Sequence, residues 1–338
     1  MKIKFKCGMK KLTVSFALIF SYCFSFAQTP VHHKVSHLKI TILSTMLAQE
    51  GVGDWGFGAL VECDSTRILF DSGGRKYVVR DNAKELHVDL SKVYIAVLSH
   101  GHPDHTAGWL ALRQELSAID NNALSLTYVG SGFFNPVILP SGGRHDLRPD
   151  SAAYANSGAH VETVKNWKEI APGVFLTGSN IPRNNPESNY PPTWKRLSQN
   201  GKIARDTVPE DMSMVISTLQ GLVVLTGCGH SGTVNLVEAV LNHFPDQKIY
   251  AALGGFHLLA TSDQKIKWTA IALKDAGIRY FMGAHCTGIR PVQQIMDYAG
   301  LKPNECIVGS VGATFDPAVG FIAGQLTLGT DKNAYFRK

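Results

Sequence analysis

The stretch that most constrains this chain runs from Val97 to Trp109 and reads VLSHGHPDHTAGW. It places His100, His102, Asp104 and His105 within six residues. Just before it, Val93 to Leu98 is apolar and partly β-branched, which predicts a buried strand. Gly101 and Pro103 end that strand, and a helix is expected from Thr106 to Leu116. The ligand-type side chains are therefore crowded onto a turn at a strand end. Residues two apart on an extended chain point to one side. His100 and His102 thus suit one metal ion, while Asp104 and His105, past the bend, suit a second. A lone histidine here would read as an ordinary surface residue. Four metal-ligating groups delivered by an apolar strand are not explained that way. Imidazole suits zinc, iron and nickel, and a mixed nitrogen and oxygen set with an open position suits a hydrolytic ion.

Three later histidines are presented alike. His230 in TGCGHSG, His257 in GGFHL and His285 in GAHCTG each follow an apolar run and sit among glycines. Glycine lets the backbone turn sharply and approach closely. Each segment therefore predicts a further strand end aimed at the same kind of centre.

The 338 residues allow a large core. Hydrophobic content of 44% and charged content of 18% are those of a globular protein. The formal charge of +6 is concentrated at one end: residues 1–27 hold five lysines and no acid, leaving 28 basic against 27 acidic residues beyond them. With no basic stripe, nothing points to nucleic acid. The same lysines precede an apolar run, Leu12 to Phe24, and Ser25-Phe26-Ala27 has a small-x-small form before Gln28. Residues 1–27 are therefore expected to be a signal peptide, and the protein to be exported, periplasmic or secreted. No membrane span is expected to remain after cleavage. Six cysteines lie at 7, 23, 63, 228, 286 and 306, two of them in the leader and none in a CxxC pair, so no disulfide scaffold is expected.

Beyond the leader, 28–37 (QTPVHHKVSH) reads as a flexible lead, and 38–338 as one α/β domain. Strand pairs come first, and strand–helix units dominate the second half. Residues of about 130–210 are rich in Gly, Pro, Asn and Ser, and are expected to form an inserted wall of the substrate site. Within it Arg144, Arg148 and Arg183 are candidate anion binders, because guanidinium offers a planar fork to phosphate or carboxylate, and Glu187, which follows Arg183, is a further candidate substrate contact. A structural Arg183–Glu187 ion pair is the plainer alternative, and Asn184 to Thr193 reads as a lid. Asp71, which ends the ILFD strand, is expected to hold a neighbouring ligand or backbone group.

In order along the chain stand GDWGFG at 53–58 with LVE at 60–62, ILFDSGG at 68–74, Asn82-Ala83, HGHPDH at 100–105, TGSNIPR at 177–183, TGCGHSGTVN at 226–235, GGFHL at 254–258 and HCTG at 285–288. The series resembles the metallo-β-lactamase superfamily. Within it, the chain resembles the subfamily named for 7,8-dihydropterin-6-yl-methyl-4-(β-D-ribofuranosyl)aminobenzene 5'-phosphate synthase, many of whose members are called only metal-dependent hydrolases. The resemblance spans nearly all of the chain beyond the leader and implies a four-layer αββα sandwich.

The resemblance also implies one or two divalent ions, zinc foremost, with iron or manganese as alternatives. His100, His102 and His230 would hold one ion, and Asp104, His105 and His285 the other. His257 would either replace His285 or donate a proton to substrate. Many superfamily members bridge two ions with an aspartate after a strand like LVVLTG. Here Cys228 stands near that place, either as a soft ligand favouring zinc or as a small buried residue; Asp211 is the other candidate bridge. The implied activity is hydrolysis of a small ester, phosphoester or amide. A bound divalent ion lowers the pKa of water from about 15.7 toward about 7. Asp104 would orient that water, His257 would protonate the leaving group, and Arg183 would anchor an anionic tail. Two alternatives stand beside it: the subfamily's condensing synthase, which an exported protein disfavours because pterin metabolites are cytoplasmic, and a non-enzymatic metal-binding or sensing protein. The substrate and the oligomeric state are not set by the sequence.

Overall fold

The computed structural model describes residues 32–186, 190–198, 200–324 and 327. Leu38–Ser44 pairs antiparallel with Gly58–Cys63, which pairs with Thr66–Phe70 across a tight turn where Asp64 takes φ 49°. From Thr66–Phe70 the pairing becomes parallel, through Ile95–Leu98 and Leu126–Gly130 to His160–Val164. Thr314–Asp316 and Gly320–Ile322 complete the far edge of this eight-stranded sheet. A seven-stranded sheet repeats the plan. Lys168–Ala171, Val174–Leu176, Met214–Ser217 and Leu222–Thr226 are antiparallel, then Ile249–Gly254, Tyr280–Gly283 and Cys306–Val308 follow in parallel. The parallel strands read as unbroken apolar runs, such as IAVL and LVVLT, because both of their faces are covered.

Strand alternation sorts the core into layers. Ile40, Ile42, Val61, Phe70 and Val97 of one sheet pack against Met214, Ile216, Val223, Leu225 and Leu253 of the other. On the outer face of the second sheet, Val215, Val224, Ala252 and Phe281 meet residues of the helices Thr233–His243, Asp263–Asp275 and Ile289–Ala299. On the outer face of the first, Leu43, Leu60, Leu69 and Ala96 meet Val78–Glu85 and Trp109–Ser117. Each such large aliphatic side chain, fully buried, contributes about 1.5–3 kcal/mol. The αββα sandwich expected from the resemblance is what the chain forms. Its consequence for function is that the carboxyl ends of the parallel strands, with Asp71, Ser99, Thr226, Gly254 and Gly283, come together at one rim.

Three local expectations change. The helix expected over Thr106 to Leu116 is two pieces, Pro103–Thr106 and Trp109–Ser117. The DSGG loop divides them: the His105 carbonyl accepts Ser72 N–H and O–H at 2.8 and 2.9 Å, and Ala107 N–H donates to the Gly73 carbonyl at 3.2 Å. Region 130–210 is not one inserted wall. His160–Val164 closes an edge of the first sheet, and Lys168–Ala171 with Val174–Leu176 begins the second. Only Val137–Ile138, Arg144–His145, Lys195–Leu197 and Ile203–Arg205 form a separate four-stranded sheet. These strands are too short for periodicity to reveal. The lead is attached sooner than its polarity suggests: Val35 is buried and donates its N–H to the Ser217 carbonyl at 2.8 Å. The leader, 1–27, and residues 28–31 lie outside the described residues. Among the described residues no helix is long and apolar enough to cross a membrane.

Candidate metal centre

The rim draws both sheets to within contact distance. A Cβ at Gly227 would stand 2.0 Å from Ser99 Oγ and 2.6 Å from Asp71 Oδ2, so only glycine lets the TGCGH turn sit against the DSGG and SHGH segments. Asp71, His257 and His285 all take left-handed backbone, with φ of 57°, 48° and 46°. Such conformations cost on the order of 1–3 kcal/mol each and collect at functional sites.

Asp71, fully buried, organises the first histidines. Its Oδ1 accepts Ser99 N–H, and its Oδ2 accepts Ser99 O–H and His105 Nδ1–H, all at 2.7 Å. With its proton committed to Asp71, Ser99 Oγ accepts His100 Nδ1–H at 2.9 Å. His102 Nε2 donates to Asp206 Oδ2 at 3.0 Å. His100 and His102 thus each keep one nitrogen without a proton. His100 Nε2 and His102 Nδ1 face each other at 3.0 Å, and His105 Nε2 faces Cys228 Sγ at 3.2 Å. Two facing lone pairs at this distance repel unless a cation lies between or beside them.

The remaining histidines close the cage. The His230 ring lies 4.7 Å from those of His100 and His257, and the His285 ring 5.0 Å from that of His105. His285 Nε2 is 3.3 Å from Asp104 Oδ2. Among the described residues, Asp104 Oδ1, His257 Nδ1 and His285 Nδ1 are buried without a hydrogen-bond partner. Ligand atoms converge within 4.8 Å in four sets: His100–Cys228–His230, His105–Cys228–His285, Cys228–His257–Cys286 and His100–Asp104–His105. Buried three-residue sets of nitrogen, sulfur and oxygen, with some of their atoms partnerless, fit a borderline-soft divalent ion.

The electrostatics agree. Burial, reinforced by His105 and His102, holds the His100 imidazole well below its ordinary range. Burial pushes the Asp104 carboxyl up, but His105 and His285 outweigh it and keep the group ionised. Burial pulls His105 down, while Asp71 and Asp104 raise it to about 9.

The other expected residues fall differently. Cys228 belongs to three of the four sets, so it stands among the donor atoms and is more than a small core residue. Asp211 does not enter any set among the described residues; its Oδ2 accepts the N–H and O–H of Ser231 and holds the turn after His230. Arg183 is held by main-chain contacts, with Nη1 and Nη2 donating to the Thr207 and Val208 carbonyls at 2.5 and 2.7 Å. Glu187 lies outside the described residues, so the Arg183–Glu187 pair does too. Arg144 and Arg148 both pair with Asp146 at the surface. Of the segment read as a lid, Asn185 is tied by its N–H and side chain to Asn235 Oδ1.

Several site residues escaped sequence reasoning. Trp194 lays its ring 4.5 Å from that of His102, and the exposed Trp55 lies 4.9 Å from His285. Arg196 grips Asp206 at 2.8 and 3.2 Å and Glu210 at 2.5 Å, and Glu210 in turn accepts Gly101 N–H at 3.1 Å. The small four-stranded sheet is thereby bound to the HGHPDH turn.

The layers and the rim define the class: this chain has the metallo-β-lactamase fold. Among solved structures it is similar to one described as a metal-dependent hydrolase of the β-lactamase superfamily, with TM-score 0.66 and 25% identity, covering 82% of this chain and 98% of the other. It also matches the metallo-β-lactamase fold protein YhfI from Bacillus subtilis, with TM-score 0.50 and 12% identity over 83% and 100%. In particular, the chain is 27% identical over 273 residues to the 7,8-dihydropterin-6-methyl-4-(β-D-ribofuranosyl)-aminobenzene-5'-phosphate synthase of Methanocaldococcus jannaschii, covering 78% of this chain and 92% of the synthase. No family model matches the chain.

Proposed function

We propose that this protein is an exported metal-dependent hydrolase acting on a small ester, phosphoester or amide. The observation that carries the reading is the convergence of His100, Asp104, His105, Cys228, His230 and His285 in overlapping buried sets, with His100 and His105 oriented by Ser99 and Asp71. His100, His102 and His230 would hold one ion; Asp104, His105 and His285 a second; Cys228 lies between the two sets. Zinc suits the donors best. When bound, such an ion supplies an acidified water at neutral pH.

The chain's own residues do the rest. Asp104, held ionised and partly open to solvent, orients the nucleophile as a hydrogen-bond acceptor. His257 is the proton donor to the leaving group. Burial lowers its imidazole, but contact with Cys286 raises it above the ordinary range, and its buried Nδ1 has no protein partner among the described residues. Trp55 and Trp194 flank the centre and favour a substrate with an apolar or flat body.

The export reading rests on the lysine-rich start, the apolar run and the small-x-small segment of 1–27. Fractionation with amino-terminal sequencing tests it, with a mature start at Gln28 expected. Metal analysis of the purified protein, followed by an ester, phosphoester and amide panel on the same sample, tests the activity. Turnover should vanish in His102→Ala and Asp104→Asn while both variants stay folded; unchanged turnover in both refutes the assignment. A second reading, condensation of a pterin-like substrate, is favoured by the name of the 27% identical relative and by the flanking indoles. It predicts product only when two organic substrates are supplied.

A further inference from the structure

Cys286 has no role in the reading above, yet it sits in the centre. The turn His285–Thr287 sends His285 to Asp104 and its neighbour Cys286 to Cys228, with the two sulfurs 3.2 Å apart. The main-chain N–H of His257 points at the Cys286 sulfur from 3.3 Å, a contact that favours thiolate. Gly255 makes room for it: a Cβ there would stand 3.0 Å from Cys286 Sγ and 2.0 Å from the Gly227 carbonyl. The left-handed backbone of His257 turns its ring back toward the same point, where Nδ1 is buried without a partner among the described residues. The other two described cysteines are unlike this one. Cys63 and Cys306 lie in apolar clusters, where burial pushes their thiols up to about 12.

We propose that Cys286 is a metal ligand, and that Cys228 and Cys286, beside His257, form a sulfur-bearing position of the centre that takes a soft divalent ion such as zinc. The proposal rests on reading the site as a metal centre. The ligand-type atoms of these three residues lie within 4.8 Å of one another. Tetrahedral zinc–sulfur and zinc–nitrogen bonds of about 2.3 and 2.0–2.1 Å place ligands of one ion roughly 3.3–3.8 Å apart, so the two sulfurs at 3.2 Å need to part by only about 0.6 Å to share one. Binding releases the two thiol protons to solvent, leaving two thiolates on one dication, so charge balances without an oxidant. Two thiolates select zinc or cobalt over magnesium and manganese, which prefer oxygen donors.

Cobalt(II) reconstitution of the full chain tests this. Visible d–d bands report that cobalt binds, and a near-ultraviolet thiolate-to-cobalt band reports sulfur ligation. The expected result is both bands in the wild type, with Cys286→Ser keeping the visible bands and losing about half of the near-ultraviolet intensity, one of two sulfurs. A Cys286→Ser near-ultraviolet band equal to that of the wild type overturns the proposal while leaving the metal centre intact. Absence of visible bands in the wild type overturns the metal-centre reading and this proposal with it. Should Cys286→Ser fail to fold, alkylation of the wild type decides: bound metal must slow labelling of Cys286 relative to the chelated protein, with Cys63 and Cys306 as controls. Equal rates in both states overturn the proposal.

Discussion

Replacing Asp206 with alanine separates structural from metal-directed work at one buried carboxylate. Asp206 is fully buried. Its Oδ1 accepts Arg196 Nε–H at 2.8 Å and Val208 N–H at 2.9 Å, and its Oδ2 accepts His102 Nε2–H at 3.0 Å. Asp206→Ala leaves the Arg196 guanidinium, 6% exposed, with only Glu210 as countercharge among the described residues. Breaking a buried pair costs about 3–5 kcal/mol. Because the Glu210 contact at 2.5 Å survives, the loss should fall near the low end of that range. The same change leaves His102 without the acceptor that keeps Nδ1 proton-free. Losing such an acceptor typically lowers metal affinity about 10–100-fold, or roughly 1.4–2.7 kcal/mol at about 1.36 kcal/mol per decade. Urea denaturation of the metal-free protein reads the first effect, and chelator competition reads the second. If the metal-free variant loses stability but binds zinc as tightly as the wild type, Asp206 is a partner of Arg196 alone, and its claimed control of His102 is wrong.

Chelation should abolish turnover and lower the melting temperature; at metal concentrations 100 times Kd the lost stabilisation is about 2.7 kcal/mol. In the metal-free protein His105, raised from 6.5 to about 9 by Asp71 and Asp104 against the pull of burial, adds stability that is complete below pH 6.5 and lost as pH rises through about 9. The stability difference between wild type and Asp71→Asn should therefore shrink across that window in denaturation series; a constant difference contradicts the assignment. Zinc affinity should rise with pH over the same range, because ligation needs neutral imidazole. Arg183→Ala should cost about 1.5–3 kcal/mol through its lost charged hydrogen bonds with little change in KM. A large rise in KM at unchanged stability would restore Arg183 as a substrate anchor. Gly227→Ala should destabilise the fold and weaken metal binding together, since its Cβ would meet Ser99 Oγ at 2.0 Å.

Much of the frame was legible along the chain. The strand before His100, the hairpin joining Met214–Ser217 to Leu222–Thr226 and the helix Thr233–His243 follow from apolar period and glycine placement, which act over a few neighbouring residues. The short strands between 130 and 210 were not legible, because three or four residues carry no usable period. Asp206, Arg196 and Glu210 were missed for a different reason. The His102–Asp206 contact joins residues 104 apart, and the Gly101–Glu210 contact residues 109 apart. No local pattern distinguishes such partners from solvated charge.

The sequence by itself determined the donor chemistry and the strand ends that present it, because both depend on residue type and on torsional preferences within a turn. Only the tertiary structure decided which donors meet. Packing the two sheets face to face brought Cys228 between His100 and His285, aimed Cys286 at Cys228, and turned Arg183 and Asp211 to main-chain and serine partners instead of to the centre. Those choices are made by close packing across the sandwich, where a glycine at 227 or 255 sets separations that no stretch of chain encodes alone.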